Sequence, residues 1–100
     1  MILLDEEYNV LNKIASKSHM DCWFWLKQDK NGNDYVFDLE ERKRMSIKNG
    51  VSLLAEGFFF DYTEKERYTL LDLTEDEVSV FFLLLEKLKL PTSSFLRCGD

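Results

Sequence analysis

The chain has 100 residues, 45% of them hydrophobic and 14% aromatic, and its thirteen Lys and Arg against nineteen Asp and Glu leave a net charge of −6. That length gives one domain with a real but modest core, and that apolar content excludes a disordered chain. The acidic balance works against phosphate backbones and anionic lipid surfaces, so neither nucleic acid nor a membrane is an expected partner.

Cys22 and Cys98 stand far apart and form no C-x-x-C pair, so both read as free thiols of a reducing compartment. The opening MILLDEEY lacks the cationic start and apolar run of a signal peptide. The longest unbroken apolar run covers residues 80–85, far short of the roughly 18 residues that span a bilayer. A cytoplasmic location is the expectation.

In chain order, a first helix is predicted over Asp5–Lys17, with Asp5 as N-cap and Glu6 and Glu7 where the helix dipole favours acids. Leu4, Tyr8, Leu11 and Ala15 line one face, with Val10 and Ile14 on its flank. The strongest β signal follows. Cys22–Lys27 and Asp34–Leu39 flank Asn31-Gly32, the dipeptide favoured in a type I′ hairpin turn. Centring the turn there pairs Gln28 with Tyr35, Leu26 with Phe37 and Phe24 with Leu39 on one face. Trp23, Trp25, Lys27, Val36 and Asp38 then share the other.

Arg42–Arg44 lead into a second helix, predicted over residues 46–56 with Ser46 as cap and Gly57 as stop. Gly50 inside it implies close approach of another element. Residues 59–72 carry no assignable element, although Thr63 and Glu66 have capping-box spacing. The last helix starts at Thr74-Glu-Asp-Glu77, a capping box with Leu73 and Val78 as its hydrophobic staple, and Pro91 ends it. Residues 78–90 present an apolar arc of about 200°, wider than the roughly 100° of an ordinary surface helix. The expected fold is a small single α+β domain over residues 1–90, in α-β-β-α-α order, with a two-stranded antiparallel hairpin packed on three helices. Residues 91–100 read as a mobile tail.

Motifs for chemistry are few. Residues 29–40 resemble an EF-hand calcium loop, with Asp29, Asn31, Asn33, Tyr35 and Glu40 at ligand places. Asp34 sits where that loop requires glycine, and the flanks alternate like strands, so the hairpin is the preferred reading. His19 and Cys22 are the one pairing suited to a thiolate and its base. The place of Cys22 at the head of an apolar strand predicts a buried, inert thiol instead. Asp38 and Glu40 would lie on one strand face, but sequence does not give their separation as a working acid and base. Arg42, Lys43, Arg44 and Lys48 form the one cationic cluster. No phosphate-loop, dinucleotide, nucleophile-elbow or zinc-protease motif occurs, and no cofactor is implied.

What remains is binding. The expectation is a non-catalytic protein-interaction or regulatory module that forms a homodimer. Its surface would draw on Trp23, Trp25, Val36, Phe58, Phe59, Val80, Phe82 and Leu83, because aromatics concentrate interface energy. The alternative within the same class is an acidic inhibitor that occupies a basic, nucleic-acid-binding site on a target protein.

Overall fold

The computed structural model describes residues 1–90. The expectations for Pro91, for a tail over 91–100 and for Cys98 lie outside the described residues. The described chain is a small compact α+β protein with four α-helices and a three-stranded antiparallel sheet.

Helix α1 spans Asp5–Lys17 as the periodicity requires, and buries Val10, Leu11, Ile14 and Ala15. Its cap differs from expectation: Leu4, not Asp5, is the N-cap residue, and Leu4 has no side-chain bond to offer. Glu7 supplies it instead, its carboxylate accepting the Leu4 N–H at 2.8 Å. The same carboxylate takes the Lys87 ammonium at 3.3 Å, which ties the start of α1 to the end of α4. At the far end Lys13 meets Glu77 at 2.9 Å, so two ion pairs hold the helices antiparallel.

A short 3-10 turn, Met20–Cys22, leads to strand β1 (Phe24–Gln28), which pairs with β2 (Asp34–Asp38). The hairpin forms where the sequence places it, but its register is shifted by one residue. Phe24 faces Asp38, Leu26 faces Val36 and Gln28 faces Asp34. The cause is the turn. Asp29, at the first position of a type I turn, accepts the Gly32 N–H on its carbonyl at 3.0 Å. Gly32 follows at φ 83, the left-handed residue of a G1 bulge. The Asp29 carboxylate also accepts the Asn31 and Asn33 N–H groups at 2.8 and 3.0 Å. A one-residue slip turns every side chain over. Val36 therefore lies in the core, while Tyr35 and Phe37 share the outer face with Trp25 and Lys27.

The expected two-stranded hairpin gains a third strand, β3 (Lys43–Met45), on β2, with Phe37 opposite Arg44. Arg42 enters it at φ 55, a left-handed conformation that marks the β2–β3 turn. The Asp34 carboxylate, in the place that an EF-hand reserves for glycine, accepts the Leu3 N–H at 2.6 Å, and the Asp34 N–H donates to the Met1 carbonyl at 2.8 Å. The leading residues are thereby fastened beside β2.

Helix α2 (Ile47–Phe60) starts on the expected Ser46 cap but runs through Gly57 rather than ending there. Gly50 does what its position implied: a Cβ on it would overlap Val36 Cγ2 and lie 3.1 Å from Val36 Cβ, so the sheet rests directly on the helix backbone. The short helix α3 (Glu64–Thr69) forms on the Thr63–Glu66 capping box. From it Arg67 reaches back, donating to the carbonyls of Phe58, Phe59 and Tyr62 at 3.0, 3.3 and 3.1 Å, and so closes the end of α2. Burial pulls the basicity of this guanidinium down, and stacking on the Phe58 and Phe59 rings at 5.0 and 5.1 Å compensates for lost water. Helix α4 (Glu75–Lys87) opens on the Thr74 capping box.

The wide apolar arc of α4 is largely satisfied within the chain. Val78, Phe81, Leu84 and Leu85 are buried, and Val80, Phe82 and Leu88 are half-buried against the same core. Phe58, Phe59, Phe81 and Phe82 interlock, with neighbouring centroids 4.9–6.4 Å apart. Leu83 alone on that helix is a large apolar side chain left in water, at 64% exposure. Among the described residues no helix is long and apolar enough to cross a membrane.

Candidate functional site

The two faces of the sheet differ sharply. On the inner face Phe24 and Val36 are 4% and 1% exposed and belong to the core. On the outer face Trp25 is 48% exposed, Tyr35 and Phe37 are half-buried, and Lys27 and Arg44 are exposed. Trp23, just before β1, is 55% exposed.

Local bonds fix this outer surface. The Trp25 indole N–H donates to the Asp21 carbonyl at 2.9 Å, which pins the ring while leaving it in water. Lys27 sits over Trp25 at 5.3 Å, and Arg44 lies over Tyr35 at 4.3 Å. The result is a rigid layer of aromatics and cations on an otherwise acidic protein.

The sheet order β1-β2-β3 leaves β1 at one edge. The Leu39 N–H bonds the Trp23 carbonyl at 2.8 Å and the Asp29 N–H bonds the Asn33 carbonyl at 2.9 Å. Antiparallel alternation then turns the main-chain groups of Trp25 and Lys27 toward β2, and those of Phe24, Leu26 and Gln28 away from the sheet. Beside that edge runs a cleft of about 290 Å³ whose helical wall is Asn12, Ala15 and Ser16 of α1. Tyr8 Oη approaches the Leu26 carbonyl at 3.4 Å.

Of the residues expected at an interaction surface, Trp23, Trp25 and Leu83 are exposed, and Val80 and Phe82 are half-buried. Val36, Phe58 and Phe59 are core residues and are corrected: the shifted register buries Val36, and the α2–α4 contact buries both phenylalanines. Tyr35, Phe37 and Arg44 take their place on the exposed side. Asp29 and Gly32, three apart as in a type I turn, are the signal that would have placed them there.

The remaining motifs resolve into local structure. Cys22 is exposed rather than buried, and the Cys22 N–H approaches the His19 carbonyl at 3.5 Å within the 3-10 turn. The Asp38 carboxylate accepts the Glu40 and Glu41 N–H groups at 2.9 and 3.0 Å, which commits it to the β2–β3 turn. The Asn33 and Asn31 N–H bonds hold the Asp29 carboxyl below its ordinary pKa, and they turn it onto its own loop. Among the described residues no group of three His, Cys, Asp or Glu is arranged to hold a metal ion. Comparison with protein-family models, curated proteins and solved structures finds no match to this chain.

Proposed function

We propose that this protein is a non-catalytic interaction module that self-associates through the tryptophan-bearing side of its sheet. The supporting observation is the exposure of Trp23 and Trp25 next to Tyr35 and Phe37 on a face that contributes little to the core. Tryptophan and tyrosine are the residues in which interfaces concentrate their energy. A twofold dimer uses one such patch twice and needs no second surface.

Charge supports the same side. Residues 27–48 hold six Lys and Arg against five Asp and Glu, a net charge of +1, whereas residues 61–90 hold four against eight, a net charge of −4. Copies that meet at the sheet keep their acidic helices apart. With Lys27 and Arg44 already engaged on rings of their own chain and a net charge of −6, a polypeptide suits this face better than a phosphate backbone. A cytoplasmic setting belongs to this reading, and the exposed, unpaired Cys22 supports it.

Sedimentation equilibrium at micromolar concentration tests the proposal. The expected mass is near twice 11.9 kDa, falling to 11.9 kDa in the double variant Trp23→Ala/Trp25→Ala with its helical circular dichroism unchanged. A native chain that stays at 11.9 kDa at every concentration refutes it.

A further inference from the structure

Resting on that reading, we infer that the contact is an antiparallel pairing of β1 with β1 of a second copy, about a twofold axis at Leu26, so that one sheet runs through both chains. The main-chain donors and acceptors of Phe24, Leu26 and Gln28 already point away from β2. A twofold axis at Leu26 lets that residue exchange both bonds with its symmetry mate, and sets Phe24 opposite Gln28 of the partner subunit.

The strand is self-complementary in this register. Residues directly opposite share a face, so Trp25 of each copy meets Lys27 of the other on the outer surface. This repeats between chains the contact that Lys27 makes with Trp25 inside one chain at 5.3 Å. The pair falls at a non-hydrogen-bonded position, where side chains approach most closely. The α1 wall beside the edge, formed by Asn12, Ala15 and Ser16, is uncharged, and Asp21 is the one charged residue that lines the cleft, so each acidic copy brings a single carboxylate to the seam. The Leu26 carbonyl retains a lone pair for the new strand even with Tyr8 near it.

The test compares two exposed lysines of equal charge. Lys27→Glu is expected to raise the dimer dissociation constant at least tenfold by sedimentation, and Lys43→Glu, on β3, to change it less than threefold. On a Cys22→Ser/Cys98→Ser background, Leu26→Cys is expected to form a disulfide-linked dimer on mild oxidation, because hydrogen-bonded pairs bring Cα atoms about 5.5 Å apart. A native dimer that loses no more affinity with Lys27→Glu than with Lys43→Glu refutes the edge pairing and leaves self-association standing. A native chain that is monomeric throughout removes both, including where the β1 edge instead captures a strand from a different protein.

Discussion

The β3 edge of the sheet is three residues long and carries Lys43 and Arg44, whereas the β1 edge runs five residues with Lys27 as its one cation. Short length and lysine are the usual means by which a sheet edge is kept from pairing with another chain. The N-terminal residues add to the defence on the β3 side, where the Met1 carbonyl accepts the Asp34 N–H. Strand β1 is longer, carries Lys27 as its single lysine, and displays Trp25 beside its edge. One sheet thus has a closed side and an available one, and the difference lies in a few side chains rather than in the fold.

The same contrast holds between neighbours on one strand, and substitutions can break it. Phe24→Ala empties the core side of β1 and is expected to cost about 3–5 kcal/mol of unfolding free energy in urea melts. Trp25→Ala, one residue along, is expected to cost less than about 1.5 kcal/mol, chiefly the indole bond to Asp21, while abolishing association. Near-equal losses would mean that the outer face is structural. Asp34→Ala frees the Leu3 N–H on the closed side and should cost about 1–3 kcal/mol, with faster amide exchange at Leu3. Gly50→Ala pushes Val36 and the sheet off α2. We expect a net loss of about 1–2 kcal/mol despite the better helix former.

The smallest effect touches neither edge. Burial raises the Glu77 carboxyl, but the Lys13 ammonium and the Thr74 bonds outweigh it and hold the folded pKa below the ordinary value. The unfolded chain therefore binds the proton more readily, and this contribution is present above the ordinary carboxylate pKa and lost as pH falls through the folded one. The midpoint of thermal unfolding should fall on acidification through that window, and less steeply in Glu77→Gln.

Elements whose signals are local were legible. The Thr74 capping box, the Ser46 cap and the spacing of α1 each named a helix start or face, and Gly50 announced a close approach but not that Val36 makes it. Register was not legible from Asn31-Gly32 alone, because the Asp29 carboxylate selects a type I turn with a bulge over a two-residue turn. Strand β3 has no alternation to read. Its pairing opposite Val36 and Asp38 and the stacking of Arg44 on Tyr35 are tertiary, and Arg42 adopts positive φ without a glycine to mark it. Helix α3 was half visible, since its capping box lies in the sequence but Arg67 earns its place only against the carbonyls of α2. For the surface, the tryptophans were the readable part. Tyr35, Phe37 and Arg44 waited on the register.

Amide hydrogen exchange of the unmodified protein tests the difference between the two edges most directly. Leu26 and Arg44 both direct their N–H groups outward, one from each edge. Raising the concentration from well below to well above the dimer midpoint should slow exchange at Leu26 at least tenfold and leave Arg44 unchanged. Equal behaviour at both sites, whether both protected or both indifferent to concentration, would contradict the assignment of β1 as the edge that receives a second chain.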